Sequence, residues 1–230
     1  MIFELCTDSF TGAKLAQQYG VKRIELCSAL SVGGLTPSPA LTTLCATIPN
    51  VETHVMIRPA EGDFVYSAAE VEVMMKDIQL QAEAGAKGVV FGCLTKDNSI
   101  DIQQNITLAE EARKYELECT FHRAFDFVES PIEALESLIN IGFKRILTSG
   151  GKQTANEGIV LIKQLVENAT GQIEIMAGSG VNSSNALALA SAGIAALHFT
   201  SHNLQPYQLG MGASTVPNKS KIQSITALFQ

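Results

Sequence analysis

The feature that most constrains the fold is a recurrence: short β-rich runs alternate with helical patterns at a spacing of about 25 to 30 residues, the pattern of repeated βα units. The strands are expected at Ile2 to Cys6, Arg23 to Ser28, Glu52 to Arg58, Gly88 to Leu94, Glu118 to Ala124, Arg145 to Ser149, Ile173 to Ala177 and Ala196 to Thr200. Helical patterns are expected at Phe10 to Tyr19, after the Pro37-Ser38-Pro39 turn, and at Ala68 to Ala84, Ile102 to Tyr115, Ile132 to Ile141, Asn156 to Asn168, Ser184 to Ala192 and Lys219 to Leu228. Eight strands in this alternation predict an α/β chain folded as a (β/α)8 TIM barrel. No GxGxxG follows the first strand, which removes the main argument for a dinucleotide-binding sheet. With 46% hydrophobic residues and no Pro/Gly/Ser linker, residues 1–230 are read as a single domain.

A net charge of −7, with no basic run anywhere, speaks against nucleic acid and anionic membrane surfaces as partners. No apolar run approaches the roughly 18 residues of a membrane helix. The first residues, Met1 to Asp8, carry acids where a signal peptide would be apolar. Five cysteines without CxxC read as reduced thiols of a cytoplasmic protein.

In a barrel, successive strand residues point alternately at the helices and into the lumen. In Thr53-His54-Val55-Met56-Ile57-Arg58 the β-branched residues take the helix side, leaving His54, Met56 and Arg58 inside. The two Glu-Leu-Cys triplets turn Leu5 and Leu26 outward and bring Glu4, Cys6, Glu25 and Cys27 in. Glu174, Met176, Gly178, Ala196, His198, Thr200, Thr120, His122 and Ala124 follow by the same rule. Stacked by height, one layer is expected to hold Glu4, Glu25, Met56, His122 and His198, with Cys6, Cys27, Arg58, Ala124, Gly178 and Thr200 above it. Barrel cores are ordinarily filled by branched apolar residues, and unpaired buried charge is costly. The acids and imidazoles must pair with one another, with water, with a metal or with a ligand.

The stretch Thr120 to Asp126 places an imidazole, a guanidinium and a carboxylate at the C-terminal end of a strand, where parallel α/β folds put their sites. A plain Arg123–Asp126 salt bridge at a strand end is the other reading of the same residues. The catalytic reading makes His122 the acid/base with Glu25 or Glu4 orienting it, while Arg58, Arg123 and Asp126 complete an anion-binding cluster. Small-residue turns after the sixth, seventh and eighth strands, with Ser149, Gly150, Gly178, Gly180 and Thr200, are of the kind that presents backbone N–H groups to a phosphate. A hard-metal site from Glu4, Glu25, His122 and His198 is chemically open, though no short metal-ligand spacing supports it. Cys6 and Cys27, at the ends of neighbouring strands, could share a Cu(I) ion with Met56 nearby, or be buried thiols that pack as small hydrophobes. Cys45, Cys93 and Cys119 are read as packing residues, and His54 as a satisfied core histidine.

The segments Arg23-Ile24-Glu25-Leu26-Cys27, Gly33-Gly34-Leu35-Thr36-Pro37-Ser38, Met56-Ile57-Arg58-Pro59, Gly62-Asp63-Phe64, Gly88-Val89-Val90-Phe91-Gly92, Thr120 to Asp126 and Arg145 to Gly150 together resemble the CutC copper homeostasis protein family. The match is collinear from about Phe3 to Phe199. The resemblance implies a cytoplasmic barrel that self-associates as a dimer or tetramer, with Cu(I) held by the cysteines that correspond to Cys6 and Cys27. Ala60 departs from the family, which often has a second basic residue there, and the tail beyond Ser201 follows it only loosely, through Met211-Gly212. Copper homeostasis is therefore the functional expectation, with a copper ion as partner. The side-chain inventory keeps an alternative: an enzyme or binding protein for a small anionic metabolite, phosphorylated ones included. A scaffold without chemistry is a third reading, which a dry, fully salt-bridged barrel mouth would favour.

Overall fold

The computed structural model describes residues 1–206 and 213–230. Met211 and Gly212, where the tail keeps its loose family likeness, lie outside the described residues. Eight parallel strands close into a barrel: β1 (Ile2–Thr7), β2 (Arg23–Leu26), β3 (Glu52–Met56), β4 (Gly88–Phe91), β5 (Glu118–Phe121), β6 (Arg145–Thr148), β7 (Glu174–Ala177) and β8 (Ala196–Thr200). β8 pairs back onto β1, with Glu4 opposite His198 and Cys6 opposite Thr200. The helices between them are α1 (Phe10–Gln18), α2 (Pro39–Ala46), α3 (Ala68–Glu83), α4 (Ile102–Arg113), α5 (Pro131–Ile141), α6 (Ile159–Ala169) and α7 (Ala186–Ala190). After the barrel come an antiparallel pair, β9 (His202–Pro206) and β10 (Ala213–Pro217), which the sequence pattern does not announce, and then α8 (Lys219–Thr226).

Local sequence explains where the helices start and stop. Ser67 caps α3 by accepting from the Glu70 amide while the Glu70 carboxylate accepts from the Ser67 amide, a reciprocal capping box. Ser38 caps α2 ahead of Pro39, and Gly142 ends α5 in the left-handed region at φ 94°. Helices α6 and α7 are shorter than the periodicity predicts. The reason for α6 is visible before it: the chain from Ser149 to Gly158 folds back on itself so closely that a Cβ on Gly150 would lie 2.2 Å from the Gly158 carbonyl oxygen.

The alternation of side chains holds. Leu5, Ile24, Leu26, Val55, Val89, Phe91, Phe121, Ile146, Ile175 and Leu197 are buried in the apolar layer between strands and helices. Cys6, Cys27, Met56 and Val90 form a separate small cluster, and Leu147, Met176 and Ala196 another, inside the barrel. Ala124 departs from expectation. β5 ends at Phe121, a 3-10 turn over Arg123–Phe127 takes over, and Ala124 packs in the outer layer. Heights also differ from a simple count along each strand, because strands of a closed barrel are staggered. Glu4 pairs with Arg23, and Glu25 pairs with Cys6.

The lower lumen is filled by an ion network. Arg145 donates to Glu118 at 2.6 Å, to Glu174 at 3.1 Å and to Thr120 at 3.2 Å, and lies 3.4 Å from His54 Nδ1. Arg23 donates to Glu4 and contacts the Met176 sulfur at 3.5 Å. The guanidiniums of β2 and β6 thus close the barrel floor, and the polar groups above it face upward.

Candidate functional site at the barrel mouth

A cavity of about 570 Å³ opens at the C-terminal ends of the strands. Cys6, Glu25, Met56, Leu147, His198 and Thr200 reach it from the strands, and Leu30, Arg58, Phe64, His122, Arg123, Phe127, Ser179 and Gly180 from the loops above. Gly178 makes room for this wall: a Cβ there would lie 2.5 Å from Leu147 and 3.3 Å from the His198 ring.

On one side of the cavity, β1, β2 and β8 bring together two thiols, two carboxylates and an imidazole. His198 Nδ1 lies 2.7 Å from Glu4 Oε1, and its Nε2 lies 3.8 Å from Glu25 Oε2. Cys27 Sγ donates to Glu25 Oε2 at 3.6 Å. One ligand atom each from Cys6, Glu25 and Cys27 lie within 4.8 Å of one another, and so do atoms of Glu4, Glu25 and His198. Burial alone would raise the Glu4 carboxyl, but the hydrogen bond from His198 and the charge of Arg23 hold it well below the usual carboxylate range. Burial and the charge of Cys6 push Glu25 up. The hydrogen bond with Cys27 pushes the Cys6 thiol down to about 5, against burial and with help from His198, while the same contact and burial push Cys27 up. His198 is disfavoured as a cation by burial, yet Glu25, Cys6 and Glu4 raise it.

The opposite side belongs to the loops after β3, β5 and β6. His122 is buried; its Nδ1 accepts from the Ala124 amide at 3.3 Å, so the ring proton sits on Nε2. Burial first, and then the charge of Arg58, push this imidazole down to about 3, so it is neutral near pH 7. Its ring centroid lies 4.8 Å from that of Phe64, and the Arg58 guanidinium lies 5.2 Å from the same Phe64 centroid.

Arg123 and Asp126 form an ion pair at 2.8 Å, with Arg123 half-exposed and Asp126 buried. Asp126 also accepts from Thr148 Oγ1 at 2.5 Å, from the Ser149 amide at 2.9 Å and from the Gly151 amide at 3.1 Å. The Gly150 amide goes to Thr148 Oγ1 at 2.8 Å and the Gly178 amide to the Thr148 carbonyl at 3.0 Å. Asp126, Ser149 and Gly150 thus join the loops after β5 and β6, and these amides are committed within the protein.

Of the residues singled out from sequence, Cys6, Glu25, Met56, Arg58, His122, Arg123, Gly180, His198 and Thr200 line one cavity. Glu4 reaches it only through His198, and Cys27 through Cys6 and Glu25. Glu25 contacts His198 and the cysteines, whereas His122 sits across the mouth beside Phe64. Sequence reasoning passed over Arg23, Arg145 and Phe127 and met Phe64 and Ser179 only as members of the Gly62-Asp63-Phe64 motif and the Gly178-Ser179-Gly180 turn. The two arginines were available from strand parity, being two residues below Glu25 and Leu147. Ser179 was not, because it lines the wall through a left-handed φ of 77° that a serine does not advertise.

The CutC family model matches residues 1–203. The chain belongs to the CutC family. It is 44% identical over 217 residues to the CutC family protein of Pasteurella multocida (strain Pm70), covering 94% of this chain and 88% of that one. It is 47% identical over 184 residues to a human protein named copper homeostasis protein cutC homolog, covering 80% of this chain and 67% of that one. A crystal structure of CutC from Streptococcus agalactiae superposes with a TM-score of 0.81 at 32% identity, over 86% of this chain and 97% of that one. An aldolase structure with a TM-score of 0.69 and 13% identity, covering 98% and 93%, shares the barrel alone with this CutC-family chain. Among the described residues, no helix is long and apolar enough to cross a membrane.

Proposed function

We propose that this chain is a copper homeostasis protein that takes up Cu(I) between the sulfur atoms of Cys6 and Cys27. The observation that carries the reading is the placement of both thiols and a Glu25 oxygen within 4.8 Å of one another at the cavity wall. Soft thiolate ligands suit Cu(I), and the donors fit it: both cysteines are free, and the Met56 thioether lies in the same small cluster. Cys6 lines the cavity, which supplies an entry path to an otherwise enclosed pair. The low-lying Cys6 thiol lessens the competition from protons at the first sulfur, while Cys27, raised by the same contact and by burial, must release its proton as the ion binds. The name of the human relative at 47% identity supports the same reading.

The test is a Cu(I) titration in competition with a chromogenic chelator. The wild type should hold one ion tightly, and Cys6→Ser combined with Cys27→Ser should abolish that binding while Cys45→Ser leaves it intact. Unchanged affinity in the double variant removes the copper assignment.

A further inference from the structure

We propose that the barrel mouth is also a binding site for a small organic anion with an apolar body, its negative group held by Arg58 and His122. This inference does not rest on the copper reading, because no sulfur atom takes part in it.

Arg58 is buried, and its guanidinium donates to backbone carbonyls, Val32 at 2.9 Å, Gly34 at 3.2 Å and Gly62 at 2.8 Å, and otherwise meets the neutral Tyr66 hydroxyl and the Phe64 ring. Among the described residues its Nε–H has no partner, and it joins none of the ion pairs that take up Arg23, Arg123 and Arg145. Buried charges in folded proteins are ordinarily paired, so a cation left with neutral carbonyls beside a cavity is missing an anion. His122 presents the matching donor. Its Nδ1 already accepts from the Ala124 amide, which leaves Nε2–H buried and, among the described residues, without a partner.

Both residues line the same cavity. Arg58 follows β3, His122 follows β5, and the residue between them after β4 is Gly92, which contributes no side chain. Burial, and after it the Arg58 charge, depress the basicity of His122 and leave the ring neutral, a hydrogen-bond donor that does not itself need an anion. The cavity also carries the apolar side chains of Leu30, Val32, Phe64, Phe127 and Val181, while the Arg123 guanidinium in the same lining is already paired with Asp126. Two donors with no matching acceptor, set in an apolar wall, select a ligand with a carboxylate or phosphoryl head and a hydrophobic body.

The competing account is that Arg58 only ties the loops after β2 and β3 together. Isothermal titration of the whole chain at pH 7 with benzoate, benzamide and phenyl phosphate separates the two. Benzoate or phenyl phosphate should bind at least tenfold more tightly than the neutral benzamide, and the tighter of the two anions names the head group. His122→Ala should weaken the preferred anion about tenfold while leaving benzamide binding unchanged, and His122→Gln, which retains an N–H donor, should recover part of the loss. Arg58→Met should abolish the preference for anions. If thermal unfolding shows that the Arg58 variant does not fold, the two His122 variants decide. Equal binding of benzoate, phenyl phosphate and benzamide, no binding of either anion, or an anion affinity untouched by His122→Ala overturns the proposal.

Discussion

Replacing Asp126 by alanine should destabilise the barrel mouth through hydrogen bonds, with little contribution from charge. Its carboxylate is buried and receives bonds from Arg123, Thr148, Ser149 and Gly151. Thr148 and Ser149 are fully buried, so the Thr148 hydroxyl and the Ser149 amide would lose their acceptor where water does not replace it. At about 1–3 kcal/mol for each orphaned buried donor, the two together cost about 4 kcal/mol. The exposed Gly151 amide can turn to water, and Arg123, with 42% of its side chain exposed, adds less than about 1 kcal/mol. For a chain of this size the midpoint of thermal unfolding should fall by about 8–16 °C. Asp126→Asn retains one carbonyl oxygen and should lose about half as much. Urea unfolding followed by circular dichroism measures both. A loss below about 1 kcal/mol for the alanine variant would mean that the two loops hold their shape without the carboxylate, and that the bond ledger is wrong.

Gly92→Ala would place a Cβ 2.8 Å from the Phe121 ring and 2.9 Å from His122 Nδ1, so it should cost about 1–3 kcal/mol by overpacking; a neutral result in thermal unfolding would contradict the close approach. Because His122 is pushed down to about 3 from 6.5, the unfolded chain takes up a proton below pH 6.5 that the folded chain refuses. Its share of stability is therefore present above that pH and lost at about 1.4 kcal/mol per pH unit as the pH falls toward the folded value. Urea midpoints at pH 7, 6 and 5 should fall more steeply for the wild type than for His122→Gln, and parallel slopes would refute the assignment. Iodoacetamide at neutral pH should modify Cys6 ahead of the other four cysteines, which are more deeply buried, and bound Cu(I) should suppress the reaction. Peptide mass spectrometry showing undiminished Cys6 modification in the presence of copper would count against the thiol pair as the ligand set.

What the sequence determined by itself was the architecture and the direction of side chains. Strand parity is a local property with a period of two, so Leu5 and Leu26 could be sent outward and Glu4, Cys6, Glu25 and His198 inward without knowing any contact. The outer apolar layer and the polar lumen agree with that reading. Family likeness was legible for the same reason, because it rests on collinear motifs.

Pairing was decided only in three dimensions. Which inward groups meet depends on the stagger of a closed barrel, and that stagger sets Cys6 against Glu25, Glu4 against Arg23 and His198, and leaves His122 across the mouth beside Phe64. The fate of the Arg123–Asp126 pair could not be read locally either, since its partners Thr148 and Ser149 come from the next βα unit. Period and propensity act between neighbours in the chain, whereas the charge left on Arg58 and the shared thiol pair arise from groups far apart in sequence, which only closure of the sheet brings within a few ångströms.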